Sequence, residues 1–285
     1  MKTSENSKKN SGASKEQLLA QLKPVIIDAL KKAFPDNREV TDNFAPIFDL
    51  LAKKALFEPD DETRDLGISF LNEASRDVKS CKVLNSKKIY PHAVYHLQQA
   101  VEKSAKGYVL LEGYFDVAEL NEIATHRSPS VMMKAMFIKT GIKSLISKDP
   151  VIKNKMETFE AAITNEGKRI DIAKIPQIDI RIFCSQIEEY RKMGDQLETF
   201  FTSRLTGIDF DPNMATSLSK RFSAIGTLFL LAIITFPHEA YTRYPALAAK
   251  MSPDNYDRRL GIICEIPRIV RLLEKEIRNL QKIYE

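Results

Sequence analysis

Between Ala93 and Tyr108 apolar side chains recur at spacings of three and four: Val94, Leu97, Val101, Ala105 and Tyr108. With 3.6 residues per turn these positions fall on one side, so the spacing predicts a helix reaching about Gly113 whose apolar stripe faces a core. His96, Gln99, Lys103 and Lys106 make a polar stripe at similar spacing, expected to stay wet. Glu102 precedes Lys106 by four residues and reads as an exposed pair worth about 0.2–0.5 kcal/mol, support for the helix rather than chemistry.

The same periodicity continues along the chain. Pro59-Asp60-Asp61-Glu62 places acidic residues at a helix start, where the dipole favours them, and Phe70, Ala74 and Val78 carry that helix to an exit at Asn85-Ser86-Lys87-Lys88. A shorter helix is expected from Asp116 to Ala124, followed by a loop with His126 and a restart at Ser128-Pro129 with Val131, Met132, Ala135, Met136 and Ile138 inside. Met156 to Ile163 and Ile178 to Phe201 read as helices around the turn Asn165-Glu166-Gly167-Lys168. Ser252-Pro253-Asp254 opens a last helix through Ile262, Ile269, Leu273, Ile277 and Leu280, with Pro267 as a point of kinking. Upstream, Leu18 to Leu30 and Phe44 to Phe57 give two more helices, and residues 1–15 form a polar tail with no apolar run of the secretory type.

The run from Phe222 to Phe236 is apolar almost throughout. Its fifteen residues span only about 22 Å as a helix, short of a ~30 Å hydrocarbon core, so it reads as a buried central helix entered through Asp211-Pro212-Asn213. With 10 glycines in 285 residues and no sustained alternation of β-branched residues, the expected fold is all-α.

Composition narrows the function classes. A hydrophobic fraction of 44% suits a soluble globular chain, and 43 basic against 38 acidic residues leave a formal charge of +5, which permits an acidic or nucleic-acid partner without requiring one. Cys81, Cys184 and Cys264 show no paired spacing, which suits a reducing cytoplasm and gives neither a zinc site nor a disulfide frame. Glycine-rich phosphate loops, Gly-x-Ser-x-Gly, His-Glu-x-x-His and calcium loops are missing, so no metal or cofactor is expected.

Ala74-Ser75-Arg76-Asp77-Val78, Tyr90, Ala93 and above all Gln98-Gln99-Ala100-Val101-Glu102-Lys103 resemble the signature of the HEPN domain. Thr125-His126-Arg127-Ser128-Pro129 and Arg243-Tyr244-Pro245 extend the resemblance more weakly. It implies an up-and-down helical bundle over residues 59–285, with 16–58 as an N-terminal helical extension and about 148–207 as an insertion or extended hairpin. It also implies a homodimer, nucleotide, RNA or protein partners, and a prokaryotic stress or defence setting.

Many HEPN domains are metal-independent ribonucleases in which an Arg precedes a His by four to six intervening residues on one helix. None of His92, His96, His126 and His238 has an Arg in the preceding seven positions, so a catalytically degenerate binding module is expected. A ribonuclease using other residues, with His96, His126, His238 and Arg243 as candidates, is the alternative, and a structural helical adaptor the third. His238 and Arg243 occur in reversed order and fall about 140° apart on an ideal helix, which gives them no geometric reason to converge.

The candidate ligand-binding residues are His96, Gln99 and Lys103 on the polar stripe, His126 and Arg127 before a helix start, and Arg243 with Tyr244. Each has a plainer reading as a solvated or dimer-facing residue. Asp209 and Asp211 look like a turn with a helix cap. Arg258, Arg259, Arg268, Arg271, Lys275 and Arg278, diluted by Glu265, Glu274 and Glu276, are expected to form a solvated face.

Overall fold

Asp60 starts the described fold by accepting the Thr63 backbone N–H at 2.7 Å, which fixes the first turn of α1 (Asp61–Ser86). The computed structural model describes residue 24 and residues 59–123, 180–204, 212–239, 242–243 and 252–284. The chain divides into two units, Met1–Leu56 and Phe57–Glu285, and apart from residue 24 the described residues all lie in the second. Apart from residue 24, the helices expected within 16–58, after Ser128-Pro129 and over Met156 to Ile163 lie outside the described residues, as do Asp209 and Asp211.

Every regular element among the described residues is helical. α1 leaves through Lys87 and Lys88, the latter at φ 62°, with the Ile89 N–H bonded back to the Leu84 carbonyl, and α2 (Tyr90–Leu111) returns along it. Gly113 at φ 60° turns the chain into α3 (Val117–Ile123), where the Asp116 and Glu119 side chains accept each other's backbone N–H. α4 (Ile180–Arg204), α5 (Pro212–Thr235) and α6 (Gly261–Tyr284) complete the bundle: α5 packs on α2, α4 and α6, and α6 on α1 and α2 as well.

Leu97, Val101, Ala105 and Tyr108 are sealed as the periodicity predicts, and so are Leu228 and Leu231 of α5. Each such leucine or valine contributes about 1.5–3 kcal/mol by leaving water. Three expectations change. α2 is covered on more than one side, so Gln98 and Glu102 are buried and the Glu102–Lys106 pair at 2.8 Å is an interior contact, not an exposed one. Ser252-Pro253-Asp254 opens only a 3-10 turn, Pro253–Asn255, and the last helix starts later, at Gly261. Glu276, read as diluting a solvated basic face, is fully buried.

No helix among the described residues is long and apolar enough to cross a membrane. The α1–α2 crossing is set by two glycines. A Cβ on Gly107 would stand 2.9 Å from the Gly67 carbonyl oxygen, and one on Gly67 would stand 2.7 Å from Leu111 Cγ. Gly107→Ala is therefore expected to lower stability by about 1–2 kcal/mol, the overpacking outweighing the gain in helix propensity, as a shift in the urea midpoint.

Candidate functional site

Asp77 sits on the α1 face that α2 covers, and only a small part of it reaches solvent. A carboxylate in that position needs partners, and α2 supplies two. His96 Nδ1 lies 2.7 Å from Asp77 Oδ1, and Lys103 Nζ donates to Asp77 Oδ2 at 2.6 Å. Because the carboxylate accepts on both oxygens, it fixes the imidazole with its proton on Nδ1. Among the described residues Nε2 has no partner, and the side chain is 30% exposed.

Glu73, one turn before Asp77 on α1, reaches Lys103 at 3.9 Å and pairs with Arg76. On α2 the Tyr95 ring stands edge-on to His96 with centroids 5.4 Å apart, and the Arg243 guanidinium lies over Tyr95 at 5.4 Å from its centroid. Arg243 also meets the Glu239 carboxylate at 3.3 Å. Asp77 thereby joins His96 to Lys103, and Tyr95 joins His96 to Arg243.

Gln99 belongs to the neighbouring interior cluster instead. Its Nε2 donates to Gln98 Oε1 at 2.7 Å, while Glu102 accepts from Gln98 at 3.1 Å and from Lys106 at 2.8 Å. This explains the polar signature of α2: its amides and Lys106 satisfy a carboxylate buried inside the bundle.

His238 follows a different course from Arg243. α5 ends at Thr235 in a 3-10 turn, Phe236–His238, and the imidazole points inward with Nδ1 2.9 Å from the Tyr256 hydroxyl. Nε2 has no partner, and burial pushes the side chain down to about 4 from its usual 6.5, so it stays neutral at physiological pH. A sealed neutral imidazole is a core residue rather than a proton donor to a ligand. His92 is exposed, and His126, Arg127 and Tyr244 lie outside the described residues.

Residues 69–119 match the family model described as the HEPN domain. The match covers that stretch alone, which is similar to a HEPN domain. The matched HEPN segment contains Glu73, Asp77, Tyr95, His96, Gln99 and Lys103, and Arg243 reaches the same place from outside it. No curated protein and no solved structure matched the chain.

Two other polar clusters hold the bundle together. Arg221 of α5 meets Glu112 at 3.1 Å and covers the Tyr284 ring at 5.3 Å, and the Tyr284 hydroxyl donates to Glu112 at 2.8 Å. Arg191 of α4 stands 2.8 Å from Glu276 of α6, which also accepts from Ser223 of α5 at 3.3 Å. Burial is the main cause of the raised Glu276 carboxyl, with Arg191 opposing it. No group of three or more His, Cys, Asp or Glu side chains among the described residues is placed to hold a metal ion.

The His238 environment makes a pH prediction. Between pH 6.5 and about 4 the unfolded chain binds a proton there that the folded chain does not, so stability falls as pH falls through this window. The loss reaches about 3 kcal/mol by pH 4. Glu276, raised, works in the opposite direction, so the test compares urea unfolding of the wild type with His238→Gln at pH 7 and pH 4.5. The variant is expected to lose less stability on acidification than the wild type.

Proposed function

We propose that the chain is a nucleotide- or RNA-binding HEPN module, degenerate with respect to the usual ribonuclease chemistry, and that its ligand phosphate lies in the α1–α2 seam at His96, Lys103 and Arg243. The observation that carries this reading is that the part-exposed, oriented His96 imidazole shares Asp77 with the Lys103 ammonium and stands beside the Tyr95 ring that the Arg243 guanidinium covers. Arg and Lys at such a place supply the salt-sensitive attraction that phosphates require. Tyr95 holds the Arg243 guanidinium over its ring.

The sequence supports the degenerate reading, because no Arg precedes any His at the ribonuclease spacing. A homodimer, a protein partner and a prokaryotic stress or defence role accompany the proposal and rest on the HEPN match alone. The domain plan, with residues 16–58 as an added helical extension, belongs to the same proposal.

One observation favours the ribonuclease alternative. A carboxylate on Nδ1 and an open Nε2 are what a general base needs to accept a proton from a 2′-hydroxyl. The two readings separate in one experiment: labelled single-stranded RNA is incubated with the pure full chain, with binding followed by anisotropy and integrity by gel. The expected result is binding without cleavage. Arg243→Ala is expected to weaken binding about 3–10-fold and to reduce the slope of log affinity against log salt by about one. RNA cleavage abolished in His96→Ala would establish the enzyme instead, and absence of binding at low salt would leave only the adaptor.

A further inference from the structure

The cations of the seam are already matched. Lys103 meets Asp77, Arg243 meets Glu239, Lys106 meets Glu102 and Arg76 meets Glu73. With a neutral imidazole, Asp77, His96 and Lys103 together carry no net charge. Proton uptake at His96 Nε2 changes that: Nδ1–H stays on Asp77, Nε2 turns from acceptor to donor, and the cluster gains a full positive charge on its part-exposed side.

We propose that His96 makes this site a proton-coupled receptor for a phosphate ester, taking up one proton as the anion binds. The inference rests on the phosphate-binding reading above and adds its regulation. Among the described residues, the charged and titratable groups around His96 are Asp77, and Glu73 through Lys103, from α1; Tyr95 and Lys103 from α2; and Arg243, which lies over the Tyr95 ring, with its partner Glu239. Of these only the imidazole belongs to a residue type that ordinarily changes charge between about pH 5 and 8. His92, one turn earlier on α2 and exposed, is the nearest competitor, and His238 is sealed away.

The test uses the full chain and a fluorescent 2′-O-methyl RNA oligonucleotide without terminal phosphates, which resists cleavage and whose backbone charge is constant over the range. Affinity is measured from pH 8 to pH 5.5 at constant ionic strength. The wild type and His92→Gln are expected to tighten about tenfold or more between pH 8 and pH 6, whereas His96→Gln, which keeps a donor but cannot titrate, binds with a flat profile. Titration calorimetry in two buffers of different ionisation enthalpy is expected to show about one proton taken up per bound site at the steep part of the curve, a readout that needs no variant.

Binding that is flat with pH in the wild type, or a slope retained in His96→Gln, overturns proton coupling and leaves the phosphate-binding reading standing. Failure to bind at any pH removes both.

Discussion

Gly67 and Gly107 let α1 and α2 approach until a Cβ on Gly107 would crowd the Gly67 carbonyl and one on Gly67 would crowd the Leu111 side chain, and much of the molecule follows from that closeness. Two helices so near exclude water from the strip between them, so any polar group there must find its partner on the facing helix. Asp77 is such a group. Its claim on His96 and Lys103 orients the imidazole, holds the ammonium and leaves Nε2 open, so the seam's chemistry is a by-product of satisfying a carboxylate that packing would otherwise strand.

The apolar side of this arrangement was legible in the residues themselves. Leu97 and Val101 announce their burial by spacing alone, because a stripe that narrow has one way to leave water. Glu102 and Glu276 did not announce theirs. A single helix shows which face is most apolar but not how many neighbours will cover it, and α2 lies against α1, α5 and α6 together. Once a second side is covered, a glutamate there is tolerated only if local amides and cations complete it, as Gln98 and Lys106 do for Glu102. The His96–Asp77 contact did leave a trace. In a helical hairpin, positions nearly equidistant from the turn face each other, and Asp77 and His96 stand almost symmetrically about Lys87, as Gly67 and Gly107 do.

His238 and Arg243 mark where the helical wheel stops applying. The wheel sets them about 140° apart only if one helix runs through both, and α5 has already ended at Thr235. The tighter turn that follows aims His238 into the core at Tyr256, while Arg243 passes to Tyr95 on α2. Arg243 therefore joins the HEPN segment from far along the chain, by a contact that only the tertiary fold creates.

Burial separates the polar clusters into two kinds. Glu112 with Arg221, and Glu276 with Arg191, are almost closed to solvent, so their charges act as fixed links between helices and breaking one partner away leaves an uncompensated charge inside. Asp77, His96 and Lys103 form a similar network with one edge in water. A network that is enclosed can only hold its shape, whereas one with an open edge can exchange a proton or meet an anion without unfolding. That difference in access, more than any difference in residue type, is why the α1–α2 seam, among the polar clusters of the described residues, is the one proposed to meet a ligand.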